Sequence, residues 1–595
     1  MWLICLILSV ACAFAGVIAA IVIHNNRRNI KQNLDVLSAL FAGIAAAALV
    51  MFFGVHIGVA GTSFWGVLRA ILLSLLNAIQ VFAFGCEFSV AEQCVGKCDE
   101  NLLPYYLFWA SALYASAPVL TFSAAMRLFM NWFAKLGWRG AFSREAYVFS
   151  HLNERSLTLA RDIRNKHKKA TIVFMDVNKE DPDISPMMDD VKHMGAICFS
   201  TDILSVNFGR HSAKKPLYFF AMGDDESENL DHALSLIERY RDNANTHLYV
   251  FSTKIDSELT LTTVDKGQMK VRRINEVRSL VNHWLYAEGT ALFESARPLP
   301  NGEKSISAVV VGMGSHGTEM LKALAWYCQM DGYQVKINAF DKDPLAEDKF
   351  TAIAPELMHP DYNGVRVPGE AQYEITIHSG LDVQTASFAQ EIAKITDATY
   401  VVISLGSDEL NLQTAVQLRM YFERIRIHPV IQAIMYNSQQ KEALTGIQNH
   451  KKQPYDITFI GDLESSYTED MILNSRLEDR ALEHHMQWGV EETFWTYEYN
   501  YRSSVATAIH QAARIFCGIP GAAKKAGELT IEERDVIERL EHRRWNAYMR
   551  AEGYVYSGSE AEESRNDLGK MHNDLVNFSN LSEEERRKDS KVGTA

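Results

Sequence analysis

The chain begins MWLICLILSVACAFAGVIAAIVI, 23 residues without a charge, and no water-soluble fold has room for such a segment at its surface. A cleaved secretory signal is the plain alternative. The opening Met-Trp-Leu-Ile, however, lacks a basic lead-in, and further apolar runs follow. Residues 2 to 23, 34 to 57 and 104 to 126 each exceed the ~20 apolar residues that cross a bilayer core. These runs place residues 1–140 in a lipid bilayer as a multi-pass region.

Charge sets the expected orientation. Arg27, Arg28 and Lys31 follow the first run, and Arg127, Lys135, Arg139 and Arg144 follow the last, so both flanks are expected on the cytoplasmic side of the cell (inner) membrane. The second and last runs then cross in opposite directions and leave residues 58 to 103 outside. The run 64 to 85, FWGVLRAILLSLLNAIQVFAFG, carries Arg69, Asn77 and Gln80 and is expected to make no net crossing. A re-entrant helix leading into AFGCEFS would make Asn77 and Gln80 candidate pore residues. A plain four-helix anchor with an inside N-terminus is the other reading. No TVGYG-type filter is present. Cys86, Cys94 and Cys98 crowd the segment placed outside, where a disulfide can form.

At 595 residues the chain is too long for one core, and three or four domains are expected. The net charge of −14 argues against a nucleic-acid partner, because neutralising phosphates takes a basic surface. No Cys/His spacing points to a metal.

From about residue 145 the sequence repeats itself. AYVFSHLNERSLTLA, KKATIVFMDV and PLYFFAMGDDESEN are followed by SAVVVGMGSHGTEMLKAL, YQVKINAFDKD and TYVVISLGSDELN. Short apolar strands alternating with amphipathic helices mean parallel sheets covered on both faces. The expected class is therefore membrane α-helical plus α/β, with two tandem doubly wound, Rossmann-like domains at 145–295 and 304–470. In the second, Gly312, Gly314 and Gly317 fit a dinucleotide turn that includes Ser315 and His316, Asp341 stands where a carboxylate meets ribose hydroxyls, and Gly406 lies in the facing loop. In the first, SHLNER replaces the glycines and only Asp176 survives, so no dinucleotide is expected in the usual pose.

On those motifs, residues 145 to 470 resemble the NAD-binding domains of potassium-transport regulators, the RCK family. The resemblance implies a domain pair beneath a membrane channel that senses a nucleotide or ion without hydride chemistry. NAD or a related adenine nucleotide is the implied ligand. No catalytic signature is present: there is no GxSxG elbow and no Walker lysine, and His484 and His485 read as surface or packing residues.

After a helical connector at 471–528, residues 529–595 form a small, mainly α domain. The stretch LEHRRWNAYMRAEGYVYSG, followed by KMHNDLVNFSNLSEEERRKD, is similar to the ryanodine receptor repeat. That resemblance falls on His542, Trp545, Gly553, Tyr554, Lys570, His572, Leu575, Val576, Phe578, Leu581 and Asp589, and departs at Asn577, where the family often has proline. His542, Trp545 and Met549 share one helical face, which a packed core explains equally well. Arg543, Arg544 and Arg550 would suit a phosphate-bearing, stacking ligand.

The expected whole is a nucleotide-sensing channel or pore-type effector whose build resembles effectors of stress or antiphage signalling, and whose partners are lipid, a small nucleotide and further copies of itself in a dimer or tetramer. A membrane-bound NAD-dependent enzyme and a non-catalytic scaffold are the alternatives.

Overall fold

The computed structural model describes residues 2–25, 36–83, 92, 95, 101–140, 145–179, 181–208, 215–359, 373–437, 451–452, 454–558 and 564–592. The chain divides into two compact units, residues 1–140 with 198–200, and residues 141–197 with 201–595.

The first unit is helical: α1 (Trp2–Asn25), α2 (Val36–Ala60), α3 (Phe64–Phe82) and α4 (Leu103–Gly140). Three segments, Leu3–Val22, Ser38–Ala60 and Phe64–Phe82, are long and apolar enough to cross a membrane. Ile4, Ile7, Phe14, Ile18, Leu72 and Ile79 are all exposed, as side chains facing lipid would be. Helices α1 and α2 meet backbone to backbone, since a Cβ on Gly16 would stand 2.7 Å from the Gly43 Cα and one on Gly43 2.6 Å from the Gly16 Cα. Small residues allow this approach where no hydrophobic force drives apolar helices together. Across the bundle the Trp109 indole donates to Ser9 Oγ at 2.8 Å, and Ser9 donates to the Ala47 carbonyl at 2.6 Å.

Within the run of mixed polarity, Phe64–Phe82 is one uninterrupted helix. Ser63 caps α3 by accepting from the Gly66 N–H, and its 19 residues reach ~28 Å at 1.5 Å per residue, about the thickness of the hydrocarbon core. Gly66, Ala70, Ser74, Ala78 and Val81 form its buried stripe. Asn77 Nδ2 lies 2.9 Å from His56 Nε2 on α2, so one polar group that argued against a crossing has an internal partner. AFGCEFS falls almost wholly outside the described residues, as do Cys86, Cys94 and Cys98. The last apolar run lies within α4, whose 38 residues reach ~57 Å and outrun the hydrocarbon.

The second unit contains two parallel sheets. The first comprises β1 (Ala146–Phe149), α5 (Glu154–Lys166), β2 (Thr171–Phe174), β3 (Ile197–Cys198), β4 (Leu217–Ala221), α6 (Glu226–Tyr240), β5 (Thr246–Phe251), β6 (Lys270–Ile274) and α7 (Glu276–Glu288). The second comprises β7 (Arg297–Pro298), β8 (Lys304–Val311), α8 (Ser315–Tyr327), β9 (Tyr333–Phe340), β10 (Tyr373–His378), β11 (Tyr400–Ile403), α9 (Asp408–Arg424), β12 (Val430–Ile434) and β13 (Ile457–Ile460). Strand order is β3-β2-β1-β4-β5-β6 in one and β10-β9-β8-β11-β12-β13 in the other, with β7 antiparallel on β8. The central strands AYVF, TIVF and YVVI are buried at every position, which only a sheet covered on both faces provides.

A helical part follows: α10 (Arg476–His485), α11 (Glu498–Phe516), α12 (Ile531–Ala551) and α13 (Glu583–Val592), with the small strands β14 (Val555–Tyr556), β15 (Arg565–Asn566) and β16 (Met571–His572). It shares one core with the second sheet, in which Ile306 and Leu324 cluster with Ile509, Leu540 and Met549.

Candidate functional site

The glycine turn after β8 is held by steric necessity. Gly312 has φ +90°, and a Cβ there would collide with the Ser404 carbonyl oxygen. A Cβ on Gly317 would collide with the Gly312 carbonyl oxygen, so this glycine lets α8 close onto its strand. Gly314 differs, because among the described residues a Cβ there would meet nothing within 4 Å. Gly314 is also the N-cap of α8, with no side-chain cap on the first turn, and Ser315 beside it is exposed. Among the described residues the result is open space above unclaimed, partly positive N–H groups, suited to an anion.

Asp341, at the end of β9, is turned onto this loop. Its Oδ2 accepts from the Met313 N–H at 2.6 Å and its Oδ1 from the Asp343 N–H at 2.7 Å. The carboxylate therefore fixes the turn, while its remaining lone pairs can still accept from a ligand hydroxyl. Gly406, at φ +78° and with open space around it, lies in the loop after β11. The Tyr436 ring, just beyond β12, stands edge-on to His316 at 6.1 Å. Burial lowers the His316 pKa and keeps that ring neutral at pH 7. These groups gather where the connections from β8 and β11 diverge at the C-terminal ends of the strands, the usual place for a ligand crevice.

The corresponding crevice of the first sheet is filled by its own side chains. Asn153 caps α5 by accepting from the Ser156 N–H and donates to the Met222 carbonyl at 2.8 Å. Ser150 Oγ accepts from the Met222 N–H at 2.9 Å. The His151 ring covers Gly223, where a Cβ would stand 2.7 Å from Nδ1. Asp176 is not an equivalent of Asp341. Phe174 pairs with Phe149 as Phe340 pairs with Val311, so Asp176 sits one residue farther along, in the left-handed region at φ +50°. It faces His151, with Oδ2 3.8 Å from Nε2. Sequence reasoning missed the group this creates with Asp202, Glu228 and His232. The one available signal was Glu228 and His232 four apart on α6, hence on one face.

In the C-terminal part three of the singled-out side chains come together. Trp545 stacks on His542 with centroids 5.8 Å apart and meets His572 edge-on at 4.9 Å. His542 is buried and bonds the Val576 carbonyl through Nε2 at 2.8 Å. Burial and then Arg565 push His572 down to about 4. Tyr554 donates to Asp567 Oδ1 at 2.8 Å, and Lys570 Nζ donates to the Glu552 carbonyl at 2.7 Å, 5.9 Å from the Tyr554 ring.

The arginines expected to serve a phosphate are engaged elsewhere. Arg543 holds Asp331 at 2.8 Å, fully buried Arg544 holds Glu541 at 2.6 Å, and Arg550 lies 3.6 Å from Glu356. Arg543 and Arg550 thus tie α12 to residues outside it, while Arg544 is matched within the helix.

Of the remaining candidates, Asn77 is bonded to His56, and Gln80 is half-buried in the last turn of α3. His484 and His485 are packing residues, bonded to Gln511 at 2.8 Å and Thr493 at 2.9 Å. The sequence matches no protein-family model, and no curated protein matches it.

Proposed function

We propose that this chain is a multi-pass membrane protein that senses an adenine nucleotide, NAD or a relative, in the crevice of its second α/β domain and responds by opening a conduction path through its helical unit. The observation that carries the reading is the open space over Gly314 at the uncapped start of α8, between glycines whose neighbours forbid any side chain. The strand order 3-2-1-4-5-6 supports it, being the order of dinucleotide-binding domains. In this reading both α/β domains are Rossmann-like and stand on the cytoplasmic side, consistent with the basic flanks at Arg27, Arg28 and Arg139.

The resemblance to RCK regulators fits a ligand-gated channel that assembles as a cyclic dimer or tetramer, because a pore needs a central axis. The ryanodine-type part would contribute a second reading surface at His542, Trp545 and His572. No turnover is assigned; His316 and Asp341 are read as groups that hold the ligand.

Calorimetry on the detergent-solubilised protein with NAD, ADP-ribose and ADP tests the site. Wild type should bind at least one of them, and Gly314→Val should bind none. Equal affinity in the two proteins removes the assignment. Ion flux from proteoliposomes, with and without the binding nucleotide, tests the response. Turnover of NAD without flux would replace the channel reading with an enzyme.

A further inference from the structure

Five ligand-type side chains converge at the C-terminal edge of the first sheet, from four successive connections. His151 follows β1, Asp176 follows β2, Asp202 follows β3, and Glu228 with His232 lie on α6 after β4. His151 Nε2 is 3.6 Å from Glu228 Oε2 and 3.8 Å from Asp176 Oδ2. His232 Nε2 is 2.7 Å from Asp202 Oδ2, and its ring lies 5.8 Å from that of His151. Ligand atoms of Asp202, Glu228 and His232 all lie within 4.8 Å of one another.

We infer that this cluster is a binding site for one divalent first-row transition ion of the zinc or manganese type. Bond lengths of ~2.0–2.2 Å put neighbouring ligands of one ion roughly 3 to 3.5 Å apart. The His151 separations are already close to that, and rotations of the exposed Glu228 and Asp176 side chains cover the rest.

Three further observations point the same way. The side chain of His232 is only 4% exposed and meets Asp202 through Nε2, while its Nδ1 has no hydrogen-bond partner among the described residues and its ring lies 5.8 Å from that of His151. Among the described residues no lysine or arginine pairs with Asp202 or Glu228, so only the two imidazoles balance their charge. The internal repeat supplies a contrast. With Asn229 aligned on Asn411, Glu228 and His232 correspond to Leu410 and Thr414, neither of which is a metal ligand of this kind. The donor set selects the ion class: two imidazoles with carboxylates suit zinc, manganese or iron, whereas calcium and magnesium take oxygen alone. Bound there, the ion would pin four loops in the crevice that the first domain denies to a nucleotide.

The test uses full-length protein in detergent, stripped with a chelator and titrated calorimetrically with zinc and manganese. Wild type should take one ion per chain, and its melting temperature should rise on loading. His151→Gln and Glu228→Gln replace accessible residues, so each should melt as wild type does in chelator and lose roughly ten-fold or more in affinity. His232→Ala is the less informative variant because it opens the core. Cys198→Ser should bind as wild type does, and loss of binding there would move the site to a thiol and overturn the inference. Equal binding by wild type and the double variant His151→Gln/Glu228→Gln overturns it too, as does a preference for calcium or magnesium over both ions.

Discussion

Arg278 Nη2 lies 3.1 Å from Glu552 Oε1, joining the helix that follows the first sheet to the end of α12 with both side chains largely buried. The pair belongs to a chain of charges. Arg278 also donates to Glu319 at 2.8 Å, Glu552 meets Arg502 at 2.9 Å, Arg502 reaches Glu258 at 2.9 Å, and Arg273 holds both Glu258 and Glu498. The first domain, α11, α8 and α12 are thus linked through ions that each need their partner. Removing one partner of a buried pair strands the other, at about 3–5 kcal/mol. Glu552→Gln is expected to cost that much in denaturant melts, because Arg278 and Arg502 both lose a partner.

The same residue sets an acid limit. Burial alone would raise the Glu552 pKa, but Arg278 and Arg502 outweigh it and hold the carboxyl well below the usual range. Its contribution is complete above the unfolded value of ~4.3 and is lost as pH falls from there toward the folded value. The melting temperature of wild type should therefore drop below about pH 4, and Glu552→Gln should flatten that drop.

Asp589 carries the opposite sign. Burial pushes its carboxyl up to about 6, against a bond to His542 at 3.5 Å that works to lower it. The folded state then holds a proton that the unfolded chain, at ~3.9, has released, so stability falls as pH rises from about 4 to about 6. Asp589→Asn should remove that slope, and a pH series of melting temperatures for the two proteins measures it. An unchanged slope would mean that Asp589 is not the group that titrates.

Much of the α/β part was legible because short, wholly apolar runs alternate with amphipathic helical patterns, the order of a parallel sheet covered on both faces, and because the motifs MGDDESEN and LGSDELN recur. Their shared last residue has one job in both sheets. Asn229 accepts from the Gly223 N–H and donates to the Phe251 carbonyl, while Asn411 accepts from the Leu405 N–H and donates to the Ile434 carbonyl. What escaped was long-range. Arg543 looks like part of a phosphate patch until α12 packs on the second sheet and brings Asp331 to it, while Arg544 is paired within α12 by Glu541, three residues before it. His151, Asp202 and His232 stand far apart in sequence, and only the strand order brings them together. The contact between Asn77 and His56 escaped because the two residues sit on different helices.

The two asparagines should behave alike. Each is fully buried and bridges two loops, so Asn229→Ala and Asn411→Ala each leave a backbone N–H and C=O unsatisfied, at about 1–3 kcal/mol per group. Denaturant melts of the two variants should show similar losses. A loss in one alone would mean that the repeat is geometric only.

Trp545 separates packing from ligand contact. Its ring is half-buried between His542 and His572, so Trp545→Ala should cost less than the ~3–5 kcal/mol of a fully buried Trp. Trp545→Phe keeps a ring on His542 and should recover most of the stability. If it restores stability but not the nucleotide-dependent flux, the indole touches ligand. If both return together, the ring serves packing alone.

The glycine turn gives the sharpest separation of fold from function. Gly312 has φ +90° and a carbonyl oxygen where a Cβ would go, so Gly312→Ala must shift the loop after β11 or abandon its own conformation. Either way strain of order 1–3 kcal/mol is expected, read as a lower melting temperature without any ligand. Gly314 has φ −64° and nothing within 4 Å of the added carbon, so Gly314→Ala should melt within about 0.5 kcal/mol of wild type. The added methyl nevertheless occupies the space an anion needs above the first turn of α8. Nucleotide affinity should therefore fall in Gly314→Ala, and further in Gly314→Val, while stability stays flat. A Gly314→Ala protein as unstable as Gly312→Ala would mean that the turn is kept for packing, and the crevice would lose its claim to a ligand.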